Sequence, residues 1–292
     1  MKRKVFVGIG AAGAAAGGTI AVALAQAEGF GKPHPPIVAE NDPAIVVEKP
    51  DLARPGGPIP AYAAAPKNAT KTTPGVVVVQ HIWGVDATIR DFIRRLAKAG
   101  FVAIAPELFA RNHPPNGDGM TDYTVFRDLA AKLDKDQVNG DLEAAADWIR
   151  KRARVAEDMR PPKVGFTGFC MGGGIALRQV WQNPKPYDAL AMWYGSVRQQ
   201  GPPADQPLTD AQLAYVNDIK VPVEGNFGGR DTGPAPGDVR LFEAKLKVPH
   251  DIKIYDEAGH AFNDDTRASY VASAAADAWS RTLAFFRKYL TA

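Results

Sequence analysis

The chain has 292 residues, of which 46% are hydrophobic and 23% are charged, as in a soluble globular protein with one large domain or two small ones. Its formal net charge is +3, and three N-terminal residues, Lys2, Arg3 and Lys4, account for this excess. The rest of the chain is electrically balanced, so nothing in the charge indicates a nucleic-acid partner.

The first 27 residues have the pattern of an export signal. A basic start is followed by an uncharged run rich in Ala and Gly at residues 5–24, and small residues stand at Ala23, Ala25 and Ala27, as at a signal cleavage site. We therefore expect residues 1–27 to be a cleaved signal peptide. The protein would then be periplasmic or secreted, without stable membrane association. An uncleaved membrane anchor is the alternative, because the run approaches the length of a membrane span.

Residues 28–74 form a Pro-rich segment that leads into the main domain, with an edge strand expected at 59–64. From residue 75 onward, short apolar runs that predict strands alternate with stretches of helical period. The predicted strands are 76–79, 101–105, 164–167, 189–194, 221–226 and 252–255. The predicted helices are 89–96, 121–157 in two pieces that separate near Gly140, 175–181, 241–246 and 269–290. This alternation predicts a single α/β domain at 75–292, with a mostly parallel central sheet and helices on both faces.

The only cysteine of the chain, Cys170, stands in a glycine-rich turn between a predicted strand and a predicted helix. Gly168 and Gly172 lie two residues on either side of it, where larger side chains would clash in a sharp strand-to-helix turn. This pattern indicates a nucleophile elbow, which lifts a reactive side chain above the sheet. A single cysteine excludes an intrachain disulfide and leaves the thiol either buried or reactive, and the glycines favour the reactive thiol.

A nucleophilic thiol needs a base and an acidic residue that orients the base. In an α/β-hydrolase both follow the nucleophile in the sequence, the acid before the histidine. His260 directly follows the last predicted strand, and Asp231 ends a turn with two glycines after the strand before it. We predict these two as the partners of the thiol. Asp238 is a weaker candidate for the acid, and His250 is expected to be solvated.

The same fold predicts which backbone groups stabilise a negatively charged oxygen in the reaction. One donor is the N–H of the residue after the nucleophile, here Met171, and the other comes from a loop after an early strand. Ile82 holds that second position, in the loop that follows the predicted strand at 76–79. Trp83, the next residue, is a candidate to line the substrate pocket, with an ordinary core position as the alternative.

Seven sequence blocks make residues 76–290 resemble the dienelactone hydrolases, or carboxymethylenebutenolidases. They are QHIWGV at 80–85, APELFAR at 105–111, GDLEAA at 140–145, GFTGFCMGG at 165–173, GGRD at 228–231, EAGHAF at 257–262 and YVASAA at 270–275. The resemblance implies an α/β-hydrolase fold with Cys170 as nucleophile, His260 as base and Asp231 as its orienting acid. It also implies cleavage of an ester or lactone. No metal-ligand spacing appears in the sequence, so no metal or other cofactor is expected.

Two departures from this family concern the substrate. His81 stands where the family often has a glutamate that contacts the resting thiol, so His81 is a candidate to activate the thiol, as a base or as a cation. A passive loop residue is the alternative. The family also holds a substrate carboxylate with two arginines, but Asn263 and Asp264 stand where one of them is expected. Arg127 and Arg267 are candidates to replace them, with a solvated helix face as the alternative. An anionic dienelactone is therefore not the expected substrate.

The leading interpretation is an exported cysteine hydrolase that acts on a small-molecule ester or lactone. Two other interpretations remain open. One is an α/β-hydrolase scaffold that binds a small molecule or a partner without catalysis. The other is a redox role for Cys170, for which the chain offers no second, resolving cysteine. The sequence does not predict the oligomeric state.

Overall fold

The computed structural model describes residues 35–153, 161–199 and 206–291. The predicted signal peptide at 1–27 lies outside these described residues. Within them, nine strands belong to one sheet. The strands are β1 (Ile45–Glu48), β2 (Asp51–Leu52), β3 (Ile59–Pro66), β4 (Gly75–Val79), β5 (Val102–Pro106), β6 (Val164–Phe169), β7 (Ala189–Trp193), β8 (Val223–Gly228) and β9 (His250–Tyr255). Their order is β1-β3-β5-β4-β6-β7-β8-β9, and β2 pairs with β3.

Six α-helices connect or follow these strands in the described part of the chain. They are α1 (Ala87–Lys98), α2 (Tyr123–Ala131), α3 (Lys135–Ala153), α4 (Met171–Gln182), α5 (Pro236–Lys245) and α6 (Ala272–Leu290). The strands and helices predicted from residue 75 onward are present among the described residues, although several begin or end a few residues away from the predicted positions. Residues 154–157 of the helical stretch predicted at 121–157 lie outside the described residues. No helix among the described residues has the length and apolar character needed to cross a membrane.

The valines of β4 show how the sheet separates two apolar cores. Val77 and Val79 pack in one core with side chains of α3, α4 and α5. Val76 and Val78 point to the opposite face, into a second core with side chains of α1 and α6, because successive side chains of a strand alternate between the faces of its sheet. The strands from β4 to β9 are parallel to one another. The predicted mostly parallel sheet with helices on both faces is confirmed.

The strand predicted at 59–64 exists as β3, but its predicted edge position is wrong. It pairs antiparallel with β5 on one side and with β1 on the other, and Ile59 and its apolar neighbours are buried. The outer strand is β1, whose four residues are too few to give a clear periodic signal. The Pro-rich segment therefore supplies three strands of the sheet.

The break predicted near Gly140 is also misplaced. The helices α2 and α3 separate at residues 132–134, and the Asp134 carboxylate accepts a backbone N–H of the first turn of α3 at 2.8 Å. Gly140 lies inside α3, where a Cβ atom would overlap the guanidinium of Arg54. That guanidinium contacts the buried carboxylate of Asp141 at 2.9 Å. The glycine thus makes room for an ion pair and does not end the helix.

A buried carboxylate in β8 links the sheet to α6. Glu224 is fully buried and accepts hydrogen bonds from Asn226 Nδ2 at 2.6 Å and Thr282 Oγ1 at 3.1 Å, while Arg281 lies 3.5 Å away. Burial raises the pKa of Glu224 from 4.5 to about 8, although Arg281 and the two hydrogen bonds act in the opposite direction. The folded protein therefore binds a proton at this site more tightly than the unfolded chain does.

This preference predicts a pH dependence of stability that Glu224→Gln should remove. Because the folded pKa lies above the unfolded one, the contribution of Glu224 to stability is largest below pH 4.5 and is lost as the pH rises toward 8. Each pKa unit between the two states corresponds to about 1.4 kcal/mol of unfolding free energy. Urea denaturation at pH 5 and pH 8 measures the change. Wild type should lose more stability than the variant over this range, and an equal loss would contradict the assignment.

Candidate active site

The turn around Cys170 has the sharp geometry predicted for a nucleophile elbow. Cys170 connects β6 directly to α4 with φ 54° and ψ −118°, in a region that residues other than glycine seldom adopt. A Cβ atom at Gly168, in β6, would overlap the backbone of Gly172, in the first turn of α4. The strand and the helix therefore approach each other closely enough to force the thiol out at the carboxyl end of the sheet.

Gly172 also brings a second loop to the elbow. A Cβ atom on it would overlap the carbonyl oxygens of Val79 and Gln80, at the end of β4, the neighbour of β6 in the sheet. The next residues of that loop, His81 and Ile82, consequently lie beside the nucleophile. The loop that was predicted to supply the second backbone donor is therefore at the correct edge of the sheet.

The structure brings His260 and Asp231 to the same edge as Cys170. The His260 Nδ1 atom lies 2.7 Å from Asp231 Oδ2, and the other carboxylate oxygen accepts the N–H of Gly233 at 2.9 Å. The side chain of Asp231 is 1% exposed, whereas that of His260 is 38% exposed. His260 also hydrogen-bonds Cys170. The histidine ring therefore connects a buried carboxylate to the thiol.

The electrostatics of this group favour a thiolate beside an imidazolium. Burial raises the pKa of Cys170, but the hydrogen bond and charge of His260, the backbone N–H of Met171 and the charge of His81 together lower it below its usual value. Burial lowers the pKa of His260, but Asp231 and Cys170 outweigh it and raise the pKa to about 10. The position of Cys170 at the N-terminus of α4 adds to the stabilisation of a negative charge.

His81 is buried in a second histidine–carboxylate pair beside the elbow. Its Nε2 atom lies 2.9 Å from Asp86 Oδ1. Burial lowers the pKa of His81, but the carboxylates of Asp86 and Asp264 outweigh it and raise the pKa. The sequence analysis missed Asp86. The sequence signal that could have identified Asp86 is its position directly before α1, where its side chain caps the helix by accepting the N–H of Ile89 at 3.1 Å.

The two candidate arginines have different surroundings. The guanidinium of Arg267 lies 4.5 Å from the centre of the Trp83 ring, and its Nε is 3.1 Å from Asp264 Oδ2, so the structure places Arg267 and Trp83 together. Arg127 lies on the exposed face of α2, where it contacts Asp128 at 3.1 Å. This is the solvated helix face that the sequence left open, and it corrects the assignment of Arg127 to the pocket.

The weaker candidates lie elsewhere. His250 is exposed at the start of β9, the end of the strand opposite His260, as expected. Asp238 lies on α5 and forms a two-pronged ion pair with Arg198 at 2.6 and 3.0 Å. Neither residue accompanies the Cys170–His260–Asp231 group.

Tyr194 is a site residue that the sequence analysis did not single out. It follows β7 with φ 38°, is buried, and its ring centre lies 5.2 Å from that of His260 in an edge-on arrangement. Its hydroxyl hydrogen-bonds Asn263, and burial keeps the pKa of this phenol well above its usual value. Ala261, next to His260, also has a positive φ of 59°. The histidine is therefore held between two backbone positions of unusual conformation.

Comparison with known proteins agrees with this geometry. A sequence model described as "Dienelactone hydrolase family" matches residues 59–290. A protein of Escherichia coli strain K12 named "Putative carboxymethylenebutenolidase" is 36% identical over 277 residues, which cover 92% of this chain and 98% of that protein. The chain belongs to the dienelactone hydrolase family.

Other dienelactone hydrolase relatives support the same membership. A protein of Methylorubrum extorquens with the same printed name is 35% identical over 279 residues, 92% of this chain and 91% of that protein. A crystal structure from Klebsiella pneumoniae, whose printed description names a dienelactone hydrolase, superposes with a TM-score of 0.71 at 36% identity and covers 84% of this chain and all of that one. As a member of this family the protein is a hydrolase, and its fold is the predicted α/β-hydrolase fold.

The close approach at the elbow predicts the effect of adding one methyl group. Gly172→Ala would force a Cβ atom onto the backbone of β4 and should destabilise the protein by roughly 1–3 kcal/mol or more with loss of hydrolase activity. Gly174→Ala is the matched control, because its nearest atoms, in Ser196, are 3.6 Å away. Thermal unfolding and turnover measure both variants. Equal stability and activity of the two would contradict the close approach.

Proposed function

We propose that this hydrolase cleaves carboxylic esters or lactones through a Cys170–His260–Asp231 triad and a thioester intermediate. The observation that carries the proposal is the position of the thiol. It lies at a strained elbow, hydrogen-bonded to His260, whose other ring nitrogen contacts Asp231 at 2.7 Å. Relatives named carboxymethylenebutenolidase, a name that refers to a lactone, support the same reaction class.

In the acylation step the Cys170 thiolate attacks the carbonyl carbon and forms the C–S bond. The negative charge moves to the carbonyl oxygen, where the backbone N–H groups of Met171 and Ile82 are the donors that stabilise it. The imidazolium of His260 then gives its proton to the ester oxygen as the C–O bond breaks. The products of this step are the alcohol group and a thioester on Cys170.

In the deacylation step neutral His260 accepts a proton from water, and the oxygen attacks the thioester carbonyl. The C–S bond breaks, the acid leaves, and the thiolate and imidazolium are restored. Asp231 stabilises the imidazolium and fixes the orientation of the ring. Its nearly complete burial supports this role, because a carboxylate away from water interacts strongly with the ring.

We assign His81 a supporting role as a cation rather than as a base. Asp86 and Asp264 favour its charged form, and its positive charge lowers the pKa of the Cys170 thiol. His260 is the histidine that hydrogen-bonds the thiol, so we assign to it the acceptance of the thiol proton.

We further propose that residues 1–27 direct export, on the strength of their basic, apolar and small-residue pattern. A mature N-terminus at Glu28, determined by mass spectrometry on protein from the export compartment, would support cleavage. An intact leader in the membrane fraction would show an anchor instead.

Replacing the nucleophile should abolish turnover. Cys170→Ala removes the bond-forming atom and should reduce hydrolysis of 4-nitrophenyl acetate by roughly 10³-fold or more. In wild type, mass spectrometry should detect an acetyl group on Cys170 during turnover. His260→Gln should slow this labelling, whereas His250→Gln, at an exposed position, should not. Wild-type turnover in the Ala variant would contradict the triad, and absence of acetylation would favour a non-catalytic scaffold.

The pH profile should report the thiolate–imidazolium pair. The value of kcat/KM should rise as Cys170 loses its proton and fall near pH 10 as His260 loses its own. His81→Gln removes a positive charge and raises the thiol pKa, so the rising limb should move to higher pH and the loss of rate should be larger at pH 5 than at pH 8. His250→Gln is the control. An unmoved rising limb in His81→Gln would mean that His81 is a passive loop residue.

A further inference from the structure

An apolar cluster distinct from the two sheet cores lies against the elbow. Met171, the residue after the nucleophile, packs against it, and we call it the Trp83 cluster after its central residue. Its buried members are Ile82, Trp83, Phe109, Phe126 and Leu129. Trp83 meets Phe126 edge-on at 5.2 Å and Tyr123 at 6.2 Å between ring centres.

The apolar surface continues from the Trp83 cluster to solvent. Tyr123 and Val125, in the first turn of α2, are 45% and 38% exposed. Isolated exposed apolar side chains are common on protein surfaces, but Tyr123 contacts the Trp83 ring, and the cluster of that ring reaches the nucleophile's neighbour, Met171. A substrate bound at Cys170 would therefore meet Met171 and, beyond it, the Trp83 cluster.

Arg267 holds the Trp83 ring of this cluster in place. Its guanidinium lies 4.5 Å from the centre of the Trp83 ring, its Nε donates to Asp264 at 3.1 Å, and its Nη1 donates to the carbonyl oxygen of Met120 at 3.5 Å. Asp264 is held in turn by the hydroxyl of Thr266 at 2.6 Å and that of Thr88 at 3.2 Å. Arg267 thus connects the Trp83 ring and the backbone of Met120, which lies shortly before α2, to a carboxylate that is itself held in place.

His81, the buried cation beside the thiol, is also paired with a carboxylate. His81 contacts Asp86 at 2.9 Å. A substrate carboxylate near these residues would meet the negative charges of Asp86 and Asp264. Diverting Arg267 to such a substrate would take from the buried Asp264 one of the two cations, His81 and Arg267, that stabilise its charge, which is unfavourable.

We infer that the substrate is an uncharged ester or lactone whose apolar group packs against the Trp83 cluster, and that Arg267 positions Trp83 instead of binding a substrate carboxylate. This inference rests on the proposed hydrolysis at Cys170 and specifies its substrate class. Arg267 is accordingly a positioning residue, since it acts through Trp83.

A matched pair of esters tests the inference on the wild-type protein. The 4-nitrophenyl esters of 5-methylhexanoic acid and of glutaric acid share a leaving group and chain length, and differ in an isopropyl end against a carboxylate end. We expect kcat/KM at pH 7 to be about 50-fold or more higher for the neutral ester, because a buried charge without a partner is rejected strongly. The neutral ester should also exceed 4-nitrophenyl acetate by about tenfold, through burial of its chain.

The outcomes separate this inference from the proposed function. Equal rates, or a preference for the glutarate, overturn the substrate class but leave the triad standing. Hydrolysis of neither ester, with no acyl group on Cys170, overturns the proposed function and this inference with it.

A variant pair tests the role of Arg267. Arg267→Met should raise KM for the neutral ester by about tenfold with a smaller change in kcat, because Trp83 loses its support. The ratio of kcat/KM for the neutral ester to kcat/KM for the glutarate ester should not increase. Arg240→Met, at an exposed position on α5 away from the Trp83 cluster, is the control and should change neither constant. If Arg267 instead binds a substrate carboxylate, its loss will depress the glutarate ester selectively, which overturns the positioning role. If the Met variant does not fold, Arg267→Lys keeps a positive charge beside Asp264 without the planar guanidinium that contacts Trp83, and the same rise in KM for the neutral ester is expected.

Discussion

The close backbone contact between β6 and α4 is the constraint on which the site depends. A Cβ atom at Gly168 would overlap the main chain of Gly172, and one at Gly172 or Gly173 would overlap the main chain that follows β4 or β7. The helix can therefore begin against these strands only because the three positions lack side chains. The contact places Cys170 at a helix N-terminus, which favours its thiolate. Because β4, β7 and β8 are parallel to β6, these strands end at the same edge of the sheet. The loops that follow them begin there and supply residues around the thiol.

The charges around the thiol alternate in sign. Cys170 faces His260 and His81, and each histidine has its own carboxylate, Asp231 or Asp86. A buried charge is stable only with a partner nearby, and this arrangement gives each of them one. In the proposed mechanism the thiolate depends on two cations, of which His260 exchanges protons and His81 contributes only its positive charge.

The sequence was sufficient for local features and insufficient for distant pairings. The elbow follows from glycine spacing around Cys170, and the valines of β4 identify a strand buried on both faces. The break predicted at Gly140 was wrong because, in the sequence, a glycine inside a helix looks like a helix end. The residue that requires the glycine, Arg54, is its neighbour in space but is far away in the chain. Asp86 and Tyr194 were missed for the same reason, since their roles arise from contacts with His81 and His260 that no periodic pattern encodes.

The residues that we propose to perform the chemistry and those that we propose to select the substrate are held by different forces. Cys170 and Asp231 follow strands of one sheet, and their positions depend on the sheet's hydrogen bonds and on steric fit. Trp83 depends on a buried ion pair between Arg267 and Asp264. Apolar replacements of buried ion pairs are often at least as stable, so stability alone does not account for this pair. Its value lies in fixing Trp83, and changes at these two positions could alter the substrate without disturbing the triad.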